Sequence, residues 1–292
     1  MAFTTLINSE TLAAHLADPA FATIDCRYSL DDEKWGEREY VARHVPGAVY
    51  AHLGHDLAGT RTGRNGRHPL PDAAVLRRTF GRLGISREVQ VVAYDQDTGM
   101  YASRLWWLLR WLGHDAVAVL DGGFTRWLAQ GRPTSAGEET RAAREFTGSP
   151  RSEMSVGADE VAKLLKNRGW RLVDARAPER YRGDTEPIDK VAGHIPGASN
   201  HFFKWNLDEG GAFRSPEELR HRLQAALGEV PPEHVVCYCG SGVTACHNLL
   251  ALEHAGLRGA KLYPGSWSEW SSDPSRPMEK GNHEITKARR TT

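Results

Sequence analysis

The sequence is poor in cysteine, has no long apolar run and carries no surplus of charge of either sign. Four cysteines in 292 residues are too few for a scaffold held by disulfides. No run reaches the ~18 apolar residues of a membrane-spanning helix, and the N-terminus lacks the basic start and apolar run of a secretion signal. The 37 Lys and Arg residues balance 37 Asp and Glu residues, which argues against a basic nucleic-acid binder. We therefore expect a cytoplasmic protein with free thiols and with neither a nucleic-acid nor a membrane partner.

The sequence contains an internal repeat, which indicates a duplicated domain. The segment HVPGA at 44–48 recurs as HIPGA at 194–198, and the apolar run VVAYD at 91–95 recurs as VVCYC at 235–239. Two further pairs occur in the same order. They are Asp25 and Arg27 with Asp174 and Arg176, and Gly122 to Trp127 with Gly265 to Trp270.

Each half alternates short apolar runs, typical of β-strands, with helical patterns. The run RLWWLLRW, within the helix predicted at 103–114, is apolar nearly all round and should be buried. SPEE at 215–218 is typical of a helix start. The alternation predicts an α/β fold of two tandem domains, each a mostly parallel sheet with helices on both faces. The expected boundaries are 1–135 for the N-terminal domain, 136–155 for a linker, 156–280 for the C-terminal domain and 281–292 for a flexible tail.

The stretch CYCGSGVTACH at 237–247 holds three of the four cysteines and spans the turn from a predicted strand to a predicted helix. Cys239 ends the strand, and ligands of open parallel sheets bind beyond the carboxyl ends of strands. The glycines allow the backbone to turn its amides inward, and the helix adds the positive end of its dipole. These features favour an anionic sulfur at Cys239, with hydroxyl donors from Ser241 and Thr244.

Three other interpretations of this stretch are open. A metal site could use its cysteines and His247, but Cys237 and Cys239 lie two apart on one strand and the chain has no second cysteine pair. Cysteine phosphatases need an arginine where this chain has Ala245. An inert buried cysteine is common, but less so when Gly-x-Gly and a helix follow. We therefore predict a reactive thiol at Cys239 and no bound metal.

The chain resembles the tandem rhodanese-type sulfurtransferases over about residues 5–280. The duplicated H-[VI]-P-G-A motif, the duplicated strand–loop–helix and the paired Gly-x-Trp-like ends carry the resemblance. CGSGVTA at 239–245 looks like the active loop of 3-mercaptopyruvate sulfurtransferases, whereas thiosulfate-preferring members more often carry Arg and Lys in place of Gly240 and Ser241. The substrate-binding loop that the resemblance implies consists of Gly240, Ser241, Gly242, Val243 and Thr244.

The resemblance implies covalent sulfur transfer in two steps, without a cofactor. Cys239 would attack the sulfur of 3-mercaptopyruvate, pyruvate would leave, and a persulfide would remain on Cys239. A thiol, a thioredoxin-like protein or cyanide would then accept the outer sulfur. The N-terminal domain is expected to be catalytically inactive, because Asp95 stands at the cysteine position. A thiosulfate sulfurtransferase and a slow sulfur-carrier or redox-interaction module remain alternatives.

The resemblance also implies a cation for the carboxylate of the donor. Arg180, just before an aromatic residue, is the main candidate, and Arg182 is an additional one. Both could instead be surface arginines paired with Glu179 or Asp184. Mercaptopyruvate-type members often carry a second arginine where this chain has Ile188.

A proton relay is a further feature that the resemblance implies. It would join the serine of the loop to His68 in the segment GRHPLP and to an aspartate. The place of that aspartate holds Gly54, and Asp56 is the nearby candidate. The alternative role of His68 is structural, holding its long loop in place.

Overall fold

The structure is a computed structural model that describes residues 2–281, and its second half repeats the helices and strands of the first half except for the first strand. The first half contains β1 (Leu6–Ile7), α1 (Ser9–Ala14), β2 (Phe21–Asp25), α2 (Trp35–Ala42), β3 (Val49–Tyr50), α3 (Ala73–Arg82), β4 (Gln90–Tyr94), α4 (Ala102–Trp111), β5 (Val117–Leu120) and α5 (Gly123–Ala129). The second contains α6 (Ala158–Leu164), β6 (Arg171–Asp174), α7 (Pro178–Arg182), β7 (Ser199–Asn200), α8 (Pro216–Leu227), β8 (Val235–Tyr238), α9 (Thr244–His254), β9 (Lys261–Leu262) and α10 (Ser266–Trp270).

Both sheets consist of parallel strands. The first has the order β1-β5-β4-β2-β3, and the second has the order β7-β6-β8-β9. A parallel bridge from Ser155 to Leu262 takes the place of the edge strand that the second sheet lacks. The strands β4 and β8 are buried along their whole length at equivalent places in the two sheets. The predicted fold class, an α/β protein with two similar parallel-sheet domains, is confirmed.

The predicted helices form where their patterns indicate, with shifted ends. The helix expected at 103–114 is α4, which ends at Trp111 because Gly113 adopts a φ of 87°. Its tryptophans lie in the core, as expected. Helix α8 begins with a complete capping box, in which Ser215 and Glu218 each accept a hydrogen bond from the other's backbone amide.

Residues 136–155 run along the first half. The amide of Arg144 donates to the carbonyl of Gly81 (2.9 Å), and Phe146 packs edge-on against Phe80 in the core. A 3₁₀ turn at Ser152–Met154 precedes the second half. Of the tail predicted at 281–292, all but Gly281 lies outside the described residues.

The two halves meet through the helices that follow their central strands. Helix α4 packs against α9, so the loops that end β4 and β8 lie beside the same interface. One apolar core cluster includes residues of both halves. No helix described between residues 2 and 281 is long and apolar enough to cross a membrane.

Candidate active site

Cys239 directly follows β8 at the carboxyl end of its sheet. Its side chain is 2% exposed and lines a cavity of about 170 Å³ with walls from both halves. A wider cavity of about 880 Å³ adjoins it and shares Arg67 and His68 of the first half. The thiol is therefore enclosed at the contact between the halves, in a small cavity that shares part of its wall with the wider one.

The turn after Cys239 brings a backbone amide onto the sulfur. Gly242 adopts a φ of 75°, and a Cβ at this position would lie 2.3 Å from the carbonyl oxygen of Pro264. Glycine is therefore needed here, and it directs its N–H to Cys239 Sγ at 3.1 Å. Helix α9 begins two residues later, so the amide and the helix dipole both favour negative charge on the sulfur.

Ser266 supports the backbone of Cys239 from the start of α10. Its hydroxyl accepts a hydrogen bond from the amide of Cys239 (3.1 Å) and donates one to the carbonyl of Tyr263 (2.9 Å). Ser266 is the one non-glycine residue with a positive φ, 53°, within residues 2–281. Gly123 takes a similar φ of 58° at the equivalent place in the first half. The serine therefore accepts a strained backbone where its hydroxyl fixes the nucleophile's backbone.

The equivalent turn of the first half holds a carboxylate in place of a sulfur. Asp95 and Cys239 lie 144 residues apart at matching positions (239 − 95 = 144). The Asp95 carboxylate accepts hydrogen bonds from the amides of Gly99 (2.8 Å), Tyr101 (2.8 Å) and Ala102 (3.2 Å). Burial raises the pKa of Asp95 to about 6 against these amides, which lower it. The turn after the central strand of the first half thus binds an anionic side chain through backbone N–H groups.

His68 reaches the cysteine loop from the first half. Its Nδ1 lies 2.8 Å from the hydroxyl of Ser241, while its buried Nε2 has no hydrogen-bond partner among the described residues. Burial, together with the charges of Arg104, Arg61 and Arg67, lowers the pKa of His68 to about 3. The imidazole is therefore neutral at physiological pH and suited to exchange a proton with the serine.

Arg180 lines the same cavity but is already paired with carboxylates. Its guanidinium donates to Glu186 (2.6 Å) and lies 3.3 Å from Asp189. Asp189 in turn pairs with Arg67 of the first half. A guanidinium nitrogen of Arg67 lies 2.8 Å from the position that a Cβ on Gly240 would occupy. Two arginines, one from each half, therefore flank the loop and share one aspartate.

Arg67 and Ser266 are residues that the sequence reasoning missed. Arg67 directly precedes His68, so a second cation in that segment was visible in the sequence. The signal for Ser266 was its departure from the glycine of the first repeat.

Two candidate residues lie away from this cavity. Arg182 pairs with Asp184 (2.7 Å) on the surface. Arg180 and Arg182 lie two residues apart on the short helix α7, so their side chains leave the helix in different directions. Asp56 accepts the amide of His52 (2.9 Å) and pairs with Arg82, on a different cavity of about 630 Å³. The structure thus brings together Cys239, its loop, Arg180 and His68, but not Arg182 or Asp56.

The other cysteines of the stretch are enclosed in the core. Burial raises the pKa of Cys246 to about 12 and raises that of Cys237 well above its usual range. All four cysteines are free. Within residues 2–281, no group of three or more His, Cys, Asp or Glu side chains is arranged to hold a metal ion.

Comparisons with known proteins agree with this architecture. The rhodanese-like domain family matches residues 8–130 and 157–273. A probable 3-mercaptopyruvate sulfurtransferase of Pseudomonas aeruginosa is 46% identical over 95% of this chain and 98% of its own length. The human 3-mercaptopyruvate sulfurtransferase is 37% identical, with coverage of 90% and 89%. A putative thiosulfate sulfurtransferase of Mycobacterium tuberculosis is 38% identical, with coverage of 94% and 97%.

Solved structures show the same likeness. The structure of 3-mercaptopyruvate sulfurtransferase from Leishmania major superposes with a TM-score of 0.81 at 32% identity, covering 92% of this chain and 74% of that one. With these matches, the resemblance drawn from the motifs is confirmed, and the chain belongs to the rhodanese family as a sulfurtransferase built from two rhodanese-like domains.

Proposed function

We propose that the protein takes sulfur from 3-mercaptopyruvate, holds it as a persulfide on Cys239 and passes it to an acceptor. The observation that carries this proposal is the placement of Cys239. Its sulfur receives the N–H of Gly242 inside a small cavity that arginines and a neutral histidine also line. These groups match a reaction in which an anionic nucleophile meets an anionic donor.

The first step balances without a cofactor. The Cys239 thiolate attacks the sulfur of the donor, and the carbon–sulfur bond breaks. The bonding electron pair stays on carbon as the enolate of pyruvate, stabilised by the adjacent carbonyl. The proton of the donor thiol is transferred to that carbon, which leaves pyruvate and the persulfide anion. His68 and Ser241, whose Nδ1 and Oγ atoms lie 2.8 Å apart, would carry this proton.

The loop would stabilise the persulfide as it forms. In the first half, amides at equivalent places hold the Asp95 carboxylate. Val243 and Ala245 occupy those places around Cys239. Backbone N–H groups aimed at a developing anion in a closed site are an effective form of electrostatic stabilisation.

The uncharged loop favours 3-mercaptopyruvate over thiosulfate. Gly240 and Ser241 carry no charge, whereas a dianion would be better bound by a basic loop. The carboxylate of 3-mercaptopyruvate would bind Arg180, with Asp189 displaced from it. The alternative donor, thiosulfate, is favoured by Ile188, since a second arginine is missing there.

We propose that a thiol, a thioredoxin-like protein or cyanide accepts the sulfur. The cavity of about 880 Å³ next to the cysteine pocket supports an acceptor that approaches from solvent. The four free cysteines support a reducing compartment, the cytoplasm.

Steady-state kinetics with both donors test this function. We expect wild-type kcat/KM to be higher with 3-mercaptopyruvate than with thiosulfate, with a thiol or cyanide as acceptor. Cys239→Ser should abolish turnover of both donors, because a serine cannot carry sulfane sulfur. Cys246→Ser, seven residues further on, is the matched control and should keep activity. Substantial turnover by the Cys239→Ser variant would overturn the proposal.

A further inference from the structure

Arg104, on α4 of the first half, is fully buried and bonds only to neutral groups. Its guanidinium donates to the carbonyl oxygens of Gly242 (3.1 Å), His68 (3.1 Å), Leu57 (3.3 Å) and Pro69 (3.4 Å). It thus joins the catalytic loop to the loop that carries His68. Its side chain is 0% exposed.

The arginines that line the cavity differ from Arg104 in their partners. Arg67 and Arg180 pair with Asp189, and Arg176 pairs with Asp174 at 2.6 Å. Among residues 2–281, no carboxylate forms an ion pair with Arg104, and the groups that raise its pKa are the thiols of Cys246 and Cys239. A buried charge without a counter-ion is costly, so its presence calls for an anion that the protein acquires.

The groups able to become that anion are thiols. Burial lowers the pKa of Arg104, while interactions with Cys246 and Cys239 raise it. Cys246 donates its S–H to the carbonyl of Gly242 (3.3 Å) and keeps its proton, since burial raises its pKa to about 12. Cys239 remains as the sulfur that becomes negative during transfer.

The contact between the halves is reciprocal but unequal in charge. Arg104 of α4 donates to the carbonyl of Gly242, and His247 of α9 donates to the carbonyl of Thr98 (2.9 Å). Thr98 and Gly242 are equivalent residues of the two loops (242 − 98 = 144). Burial lowers the pKa of His247 to about 3, so this partner is neutral. Of these two contacts between the halves, only the one to the loop that carries the cysteine involves a charged side chain.

We propose that Arg104 is a positioning residue for sulfur transfer, whose buried positive charge holds Gly242 in place and stabilises the anionic sulfur of Cys239. Gly242 lies between the two, with its N–H on the sulfur and its carbonyl on the guanidinium. The inference rests on the proposed function and adds a residue from the half that lacks a cysteine. The charge would act on the thiolate and then on the persulfide.

Other titratable groups also face Cys239 and must be kept constant in a test. They are Arg67, Arg176, Arg180, His68 and Tyr101 around the cavity, and Cys237 and Cys246 within the second half. A substitution at position 104 keeps all of these side chains, although loss of the Arg104 charge removes one of the influences that lower the pKa of His68 and of Cys246.

The test is the pH dependence of alkylation of Cys239 by iodoacetamide, read on its peptide by mass spectrometry. Arg104→Gln removes the charge and keeps donors, and Arg104→Lys keeps the charge. Arg110→Gln is the matched control, because Arg110 lies on the same helix and pairs with Glu253 across the same interface at 3.3 Å.

We expect Arg104→Gln to move the alkylation midpoint upward by about one pH unit, which corresponds to about tenfold slower alkylation at pH values below both midpoints. Arg104→Lys and Arg110→Gln should keep the wild-type midpoint. A wild-type midpoint in Arg104→Gln, or an equal shift in Arg110→Gln, would overturn the inference. Alkylation does not require turnover. The result for Arg104 is therefore distinguishable from the result of the Cys239→Ser kinetics, which test the proposed function.

If Arg104→Gln does not fold, thermal unfolding of variants that keep Arg104 decides. Cys239→Asp places a carboxylate at the sulfur position, and Cys239→Asn places a neutral group of the same size there. The inference expects a higher Tm for the aspartate variant at neutral pH. An equal or lower Tm would contradict it.

Discussion

At the residue scale, the four cysteines share burial but differ in surroundings. Cys237 and Cys246 are enclosed by the apolar core, where burial disfavours the thiolate. Cys239 is equally hidden, but its sulfur meets a backbone N–H and an open cavity. Cys239 therefore differs from the other two cysteines in its hydrogen bond from a backbone N–H and in the cavity beside its sulfur, not in its exposed fraction.

The two arginines of α7 provide a residue-scale test of donor recognition. Arg180→Ala should lower kcat/KM for 3-mercaptopyruvate by about tenfold or more, because it removes a charged hydrogen-bond donor from the cavity. The loss with thiosulfate should be smaller. Arg182→Ala is the control, since Arg182 pairs with Asp184 outside the cavity. Equal losses for both donors in Arg180→Ala would reject a role in binding the carboxylate.

At the element scale, the site depends on the turn between β8 and α9. The strand is buried along its whole length, and the cysteine follows directly where the strand ends. Gly242 makes that turn against the carbonyl of Pro264, and Ser266 of α10 fixes the other side. Three elements therefore determine where one sulfur lies.

Substitutions of two glycines separate the cost of a positive φ from the cost of a steric clash at this turn. Gly242 and Gly197 have nearly equal φ values, 75° and 74°, but only Gly242 is crowded, since no atom lies within 4 Å of a Cβ built on Gly197. Gly197→Ala should cost about 1 kcal/mol of unfolding free energy, from the backbone alone. Gly242→Ala should cost more and lose most activity, as seen by chemical denaturation and kinetics. Equal destabilisation with retained turnover would show that the turn is not critical.

The elements were largely predictable from the sequence, because their signals are local. Short continuous apolar runs indicated the central strands, and the capping box indicated the start of α8. Arg67 and Arg104 were not identified as site residues, because they contact the cysteine loop across the interface between the halves and a sequence does not show such contacts. Asp56 was a candidate because of its position in the sequence, whereas its contacts hold it beside His52 and Arg82.

At the scale of the whole molecule, duplication provides two halves with different roles. The first half carries Asp95 instead of a cysteine, and it supplies His68, Arg67 and Arg104 to the cavity or its support. A buried chain of polar contacts returns from the second half, from His201 through Asn206 to His247 and on to the carbonyl of Thr98. The site is complete only when both halves are in contact.

This interface predicts loss of stability in acid. Burial lowers the pKa of His247 to about 3, so the unfolded chain takes up a proton at higher pH than the folded protein. The resulting stabilisation is present above the unfolded-state pKa of about 6.5 and is lost as the pH falls toward 3.

Denaturant unfolding at pH 7 and pH 5 measures this effect. The wild type should lose about 2 kcal/mol more than His247→Gln over that interval. His221→Gln, at an exposed position on α8, is the control and should follow the wild type. A wild-type slope in His247→Gln would exclude this histidine as a source of acid sensitivity.

The central claim is that Cys239 itself carries the transferred sulfur, and intact-protein mass spectrometry tests it most directly. Wild-type protein treated with 3-mercaptopyruvate without an acceptor should gain the mass of one sulfur atom, located on the Cys239 peptide. Cyanide should then remove it as thiocyanate. A sulfur found on another cysteine, or the same gain in Cys239→Ser, would contradict the account.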